Sequence, residues 1–342
     1  MQTLVLAEPG RFLLTETDAP GAPGPGEALV RVARVGICGT DLHAFRGRQP
    51  FFSYPRILGH ELGVEILALG PETEAWGLHA GDLAAVEPYL NCGECSACRR
   101  GKTNCCSQLQ VLGVHTDGGM REQIVVPARK LHLANGVPVE HLALVEMLVI
   151  GAHAVRRAAP GAGEAALVVG AGPIGLATAQ FARLAGAQVS VLEISPQRRA
   201  FCAAHLPGVQ VIDPGEDAVP AIQVGHGGEL PTLVFDATGS AQSMQAAFRY
   251  AENGGKLVFV GLVQGDLSFN DPEFHRREMT LMSSRNGMGA DFAHVIDTLQ
   301  RGAVDLTPWI THRATPESLA TEFPRWLEPG QGVVKAMLEF RP

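Results

Sequence analysis

The chain has 342 residues, of which 46% are hydrophobic and 18% charged, with a formal net charge of −8. That length makes two domains, each able to bury its own core, and the acidic balance speaks against a nucleic-acid surface. No stretch of about 18 apolar residues is present to span a membrane. No basic region followed by an apolar core opens the chain as a signal peptide would, so a reducing cytoplasm is expected for its seven cysteines.

From residue 1 to 147 the pattern is one of short apolar runs broken by Gly and Pro: Leu4–Leu6, Ala28–Val32, Gly63–Leu67, Leu83–Val86 and Gln123–Val126. The stretch Ala19–Glu27 is turn-rich. Such composition predicts a mostly antiparallel β domain. Two clusters of metal-type residues interrupt it. Cys38 opens Cys38-Gly39-Thr40-Asp41-Leu42-His43, and His60-Glu61 follow in Leu58-Gly59-His60-Glu61. Either the cysteine or the histidine alone reads as a core residue. Together, one thiolate, one imidazole and nearby carboxylates suit a zinc site that keeps a position for substrate.

The second cluster is Cys92, Cys95, Cys98 and Cys106, spaced C-x2-C-x2-C-x7-C on a loop rich in Gly, Asn, Arg and Lys. Four thiolates converging on one point are what tetrahedral zinc needs, and C-x-x-C pairs present two sulfurs on one tight turn. With four protein ligands such a site has no open position, so it pins the loop. Disulfides are the competing reading and need an oxidising compartment. Cys105 is one residue out of step and is not expected to ligate.

From 148 to 285 strand-like and helix-like segments alternate, which predicts a doubly wound parallel sheet. Leu167-Val168-Val169 feeds into Gly170-Ala171-Gly172-Pro173-Ile174-Gly175, and an Ala-rich helical pattern runs from Leu176 to Leu184. In that context G-x-G-x-x-G is a dinucleotide fingerprint. The first glycine makes the turn, the second admits a pyrophosphate and the third packs helix on strand, with the phosphates at the helix N-terminus. A second apolar run, Val189–Leu192, ends at Glu193, whose carboxylate accepts ribose hydroxyls and repels a 2′-phosphate; NAD is therefore expected over NADP. Leu233–Asp236 and Lys256–Val260 read as further strands, with a helix from Ala241 to Ala251. Residues 286 to 342 are expected to return to the first domain, with a helix near Asp291–Arg301.

The whole chain resembles the zinc-containing medium-chain dehydrogenase/reductase family. The resemblance rests on C-G-T-D-x-H at Cys38, G-H-E at Gly59, the four-cysteine loop and the glycine fingerprint, in that order. Within the family it is most similar to the polyol, threonine and sugar-acid dehydrogenases, through Glu146 in Val145-Glu146-Met147-Leu148-Val149-Ile150-Gly151-Ala152-His153-Ala154. That branch reads E-P-L-x-x-G-x-H-A there, and this chain departs from it at Met147. The resemblance implies a GroES-like barrel for the first domain and a Rossmann domain for the second, with chemistry in the cleft between them.

It also implies two zinc ions, one catalytic and one structural. Cys38 and His60 would hold the catalytic zinc, with Glu146 as third ligand ahead of Glu61, or with the two carboxylates exchanging during turnover. Zinc acts on the substrate oxygen as a Lewis acid while hydride passes to NAD. The Thr40 hydroxyl would carry the proton away, and the family passes it on toward the position of His43. Asp41 reads either as the carboxylate that orients His60 or as a helix cap. Arg198, with Arg199 as its competitor, would lie near the adenosine ribose, and Val260, Gly261 and Leu262 near the nicotinamide carboxamide. Ser284-Arg285-Asn286 reads as a meeting point of cofactor and substrate or as a plain hinge.

Phe51, Phe52 and Tyr54 would line a pocket, and Arg46, Arg48, His115, Arg285 and Asn286 would serve hydroxyls or a carboxylate. The expected substrate is a small polyhydroxylated molecule (sugar acid, polyol or sugar) oxidised at a secondary alcohol, with L-threonine as the nearest alternative. Outside enzymes, the alternatives are a zinc-ribbon binding module and a non-catalytic reductase-like protein. The expected assembly is a homo-oligomer, dimer or tetramer, without nucleic acid or membrane.

Overall fold

Eleven residues, Glu27–Ile37, form the strand around which the first half of the molecule is organised. The computed structural model describes residues 1–49, 52–328 and 330–341. It divides into two compact units, Met1–Glu146 with Met288–Pro342, and Met147–Gly287. The divisions thus fall at 146/147 and 287/288, beside the 147/148 and 285/286 expected.

The first unit opens with a hairpin of β1 (Gln2–Glu8) and β2 (Arg11–Glu16). Then come β3 (Glu27–Ile37), β4 (Glu61–Leu69), β5 (Leu83–Val86), the short β6 (Tyr89–Leu90) and β7 (Gln110–Val111), β8 (Gln123–Pro127) and β9 (Leu131–Leu133). In β3 the side chains of Ala28, Val30 and Val32 alternate inward, as a half-buried strand requires. The pairing of β3 with β4 shifts between Val32 and Arg34, and beyond it Val35, Gly36 and Ile37 are all buried. The β3–β4 ladder sets Gly36 opposite Glu61. Cys38 just past β3 and His60 just before β4 are thereby neighbours.

The second unit carries β10 (Ala165–Val169), β11 (Gln188–Leu192), β12 (Gln210–Ile212), β13 (Leu233–Asp236), β14 (Lys256–Phe259) and β15 (Thr280–Ser283). They form one parallel sheet in the order β12-β11-β10-β13-β14-β15. Leu167, Val168 and Val169 are buried, as central parallel strands covered on both faces must be. The order reverses at β10, so the switch point where such sheets bind ligands lies beyond its C-terminal end. A core of Leu167, Ile222, Val234 and Leu257 lies against the sheet. The expected helix from Ala241 to Ala251 is shorter: it runs Ala241–Ala246 and tightens into a 3-10 turn over Ala247–Arg249, a common way for a helix to end.

Back in the first unit, the chain forms the helix Gly289–Gln300, then β16 (Ile310–Ala314) and β17 (Lys335–Glu339). β17 pairs antiparallel with β3, Ala336 facing Ile37. The resulting sheet runs β16-β17-β3-β4-β5-β9, with β8 on β3. Its core gathers Leu4, Val30, Leu62, Ile66, Phe323 and Leu338. No helix among the described residues is long and apolar enough to cross a membrane.

Candidate active site and metal-type clusters

The β3–β4 register brings half-buried Cys38 and buried His60 to one spot. Cys38 caps the helix Gly39–Phe45: its Sγ accepts from the Thr40 amide at 3.4 Å, and Asp41 Oδ2 reaches back to the Cys38 amide at 2.9 Å. The cap is therefore formed, and Asp41 Oδ1 also faces His60 Nδ1, at 3.8 Å and without a hydrogen bond. Both of these buried atoms lack a hydrogen-bond partner. Burial alone would lower the His60 pKa. The Asp41 carboxylate and the Cys38 thiol outweigh it, so the pKa sits well above the usual histidine value.

Ligand atoms of Cys38, His60 and Glu61 lie within 4.8 Å of one another. Only glycine fits at position 36, since a Cβ there would fall 2.1 Å from Glu61 Oε2. Lys335, first residue of β17, reaches the same carboxylate: its Nζ donates to Glu61 Oε1 at 2.7 Å, Oε2 at 2.6 Å and the Ile37 carbonyl at 3.1 Å. Lys335 is 2% exposed and Glu61 1%. Burial would neutralise the ammonium, yet the carboxylate holds the Lys335 pKa above its ordinary value. Glu146, the last residue of the first unit, is also buried and accepts a hydrogen bond from the Tyr89 hydroxyl. Burial raises the Glu146 pKa, while His60 and Lys335 pull it back. The structure thus groups Glu61, not the expected Glu146, with Cys38 and His60, while Glu146 feels the charges of His60 and Glu61.

The donor set suits a zinc ion. It combines a thiol, an imidazole and carboxylates, and an orphaned Nδ1–carboxylate pair is what a metal on the far side of the imidazole would polarise. Thr40 is half-buried and His43 exposed, three residues apart on the helix Gly39–Phe45 and so on one face.

The cysteine loop is built locally. The sulfurs of Cys92, Cys95, Cys98 and Cys106 all lie within 4.8 Å of one another, and none is in a disulfide. Backbone amides aim at them: Cys95 N at Cys92 Sγ, and Cys92 N and Gln108 N at Cys106 Sγ, each at 3.4 Å. The amides of Cys98 and Ser107 draw the Cys95 pKa down to about 5, which favours the thiolate a metal binds. Asn91 Nδ2 adds a contact to Cys98 Sγ at 3.7 Å. Cys105 is exposed and outside the group.

In the second unit Gly170 takes φ +92°, a left-handed turn, and a Cβ on Gly175 would fall 1.8 Å from the Gly170 carbonyl oxygen. Pro173 and Ile174 open the helix Pro173–Leu184, whose N-cap Gly172 offers no capping side chain; the first-turn amides are left for an anion. Glu193 is buried, accepting from the Ala171 amide at 2.6 Å and the Ser195 amide at 2.7 Å. Arg198 lies near the turn, its Nη1 3.9 Å from where a Gly172 Cβ would be. Arg199 is engaged by Asp213 and by the carbonyls of Glu193 and Ile194. The amides of Val260 and Gly261 are both tied to the Asp236 carbonyl at 2.9 Å, and Leu262 is 81% exposed.

Among the expected pocket residues, Phe51 lies outside the described residues. Phe52 packs edge-on against Tyr54 at 4.9 Å, and Tyr54 donates to the Ala44 carbonyl. Arg46 donates to the Leu327 carbonyl at 3.1 Å, and His115 Nδ1 accepts from the Val111 amide at 3.1 Å. Asn286 adopts a positive φ of 51°. Sequence reasoning missed Lys335 and Tyr89. A lysine inside Val333-Val334-Lys335-Ala336-Met337-Leu338 was the available signal for Lys335, because an ionisable group in an apolar strand needs a buried partner. Nothing local marks Tyr89.

The chain is similar to known proteins over its whole length. The family described as alcohol dehydrogenase GroES-like domain matches residues 24–136, and that described as zinc-binding dehydrogenase matches residues 173–301. The chain is 43% identical to L-galactonate-5-dehydrogenase of Escherichia coli K12 over 341 residues, 99% of each protein. It is 33% identical to 2-dehydro-3-deoxy-L-galactonate 5-dehydrogenase of Pseudoalteromonas atlantica, over 93% of each. Among solved structures, an Escherichia coli CFT073 alcohol dehydrogenase complexed with NADH superimposes with a TM-score of 0.90 at 29% identity, covering 99% of both chains.

Proposed function

The chain belongs to the zinc-binding dehydrogenase family, and on that premise we propose that it oxidises a secondary alcohol of a sugar acid or related polyol with NAD. The observation that carries this reading is the clustering of Cys38, His60 and Glu61, in a chain similar over its whole length to a galactonate dehydrogenase. Cys38, His60 and Glu146 would hold the catalytic zinc, and the four loop cysteines the structural one. When bound, zinc supplies Lewis acidity toward the substrate oxygen, and NAD accepts the hydride.

The chain's own residues do the rest. Asp41 stands behind His60, 3.8 Å from its Nδ1, and favours that ring orientation through its charge. Two carboxylates and a thiolate would leave a zinc site net negative, but Lys335 cancels the charge of Glu61. The Glu61–Lys335 pair therefore adds no net charge to the site and would not blunt the Lewis acid. As the alcohol becomes a ketone, its hydroxyl proton leaves through the Thr40 hydroxyl, which both accepts and donates. The exposed His43 delivers it to water. The Gly170–Gly175 turn and the start of the helix Pro173–Leu184 take the pyrophosphate. Glu193 meets a ribose diol and repels a 2′-phosphate, with Arg198 alongside.

Homo-oligomerisation is part of the proposal. β15 is an edge of its sheet, with Leu281 39% exposed, and an open edge of this kind is a template for a second copy.

The test is NAD and NADP reduction over a panel of aldonates (L-galactonate included), polyols and L-threonine. The expected result is the highest kcat/KM with an aldonate and NAD. A preference for L-threonine, or no turnover with any sugar acid or polyol, would overturn the substrate assignment.

A further inference from the structure

We propose that Tyr89 is a positioning residue for the metal-holding carboxylate: its hydroxyl fixes one oxygen of Glu146 and leaves the other to the metal. The inference rests on the reading of Glu146 as a catalytic-zinc ligand. Tyr89 is 3% exposed and its hydroxyl donates to Glu146 Oε1. A carboxylate on an unrestrained side chain turns freely about its terminal bond and can offer either oxygen, or both. With Oε1 engaged, Oε2 alone is presented, from one direction.

The tyrosine is held through its ring and through its backbone. Its ring meets Phe292 edge-on at 6.4 Å. Phe292 in turn stacks on His132 at 4.6 Å and 11°, and His132 is tied to Glu87 at 3.1 Å. Its backbone belongs to β6, which pairs with β7, Tyr89 facing Val111. That strand runs straight into Asn91, which Arg129 grips through two hydrogen bonds of 3.1 Å and which itself contacts Cys98 Sγ. The tyrosine is thus anchored at the root of the cysteine loop while its hydroxyl reaches the other cluster.

The experiment compares the zinc-loaded parent, Tyr89→Phe and Glu146→Gln in three readouts. These are release of each zinc to graded chelator, the visible spectrum after cobalt substitution, and kcat with KM for substrate and cofactor. Tyr89→Phe is expected to release one of its two zincs at about 10- to 100-fold lower chelator strength, the usual effect of removing a ligand's hydrogen-bond partner. The cobalt spectrum should shift, kcat should fall, and KM for NAD and retention of the second zinc should stay unchanged. Parental zinc release and spectrum in Tyr89→Phe, with Glu146→Gln impaired, overturn the role of Tyr89. Parental metal behaviour in Glu146→Gln overturns instead the ligand reading beneath it. Should Tyr89→Phe not fold, Phe292→Leu loosens the ring but keeps hydroxyl and carboxylate. It is expected to show the same selective zinc release in weaker form, and unaltered release there counts against the proposal.

Discussion

The four sulfurs of the cysteine loop come from one short stretch of chain, whereas the groups at the other cluster are gathered from Cys38, His60, Glu61, Glu146 and Lys335. The loop sulfurs are steadied by amides of their own loop, and three of the four cysteines are half-buried. The second cluster is charged, and all of it but the half-buried Cys38 is buried. Its carboxylates depend on a lysine 274 residues away and a tyrosine 57 residues away. The first arrangement closes a loop that has no core of its own. The second keeps reactive groups dry and oriented, at the cost of depending on the whole unit being folded.

The sharpest way to break this contrast is Cys38→Ser. It removes a thiolate from the buried cluster only, and metal Lewis acidity is worth several kcal/mol of transition-state stabilisation. Turnover should fall about 10³-fold or more while NAD binding, measured by fluorescence titration, and the melting temperature change little. Near-normal turnover would rule out Cys38 as a ligand.

Next comes Lys335→Ala, read on stability. It leaves Glu61 as an unpaired buried charge, a change that costs about 3–5 kcal/mol. Urea denaturation should show a loss of that order, and a loss below about 1 kcal/mol would mean that water reaches the carboxylate. Thr40→Val keeps volume but breaks the proton path. With zinc content unchanged, kcat should drop about 10²-fold, the scale of a positioned proton transfer. If full activity survives at neutral pH, a carboxylate such as Glu61 takes the proton instead. Cys98→Ser should have the smallest effect on turnover, less than about 10-fold, because it dismantles a structural loop. The variant should carry one zinc per chain by metal analysis and be nicked by protease within 92–106; two zincs and an intact loop would refute the structural assignment.

What could be read from the sequence was what lies close together in it. The cysteine spacing and the glycine turn Gly170–Gly175 each need only a few consecutive residues, so their chemistry is written locally. Cys38 and His60 were legible as a pair from their ligand chemistry and then by resemblance; the physical reason they meet is the β3–β4 register, which no spacing rule contains. Lys335 and Tyr89 escaped because each partner is supplied by a distant strand. The helix expected to reach Ala251 stops earlier because its last turn tightens over Ala247–Arg249, a choice helical propensity does not dictate. In the same way the alternation in β3 does not foretell the shift after Val32 that buries Gly36 against Glu61.

The split of the first unit into two chain segments sets an order of events during synthesis. The second unit is one continuous segment, Met147–Gly287, and can fold as soon as it has been made. The first unit has to wait. Until β17 is delivered, β3 lacks its antiparallel neighbour on that side and Glu61 lacks its cation. A nascent chain halted before Lys335 must therefore either keep this part of its sheet open to water or enclose a bare carboxylate, because the counter-charge is made 274 residues after Glu61.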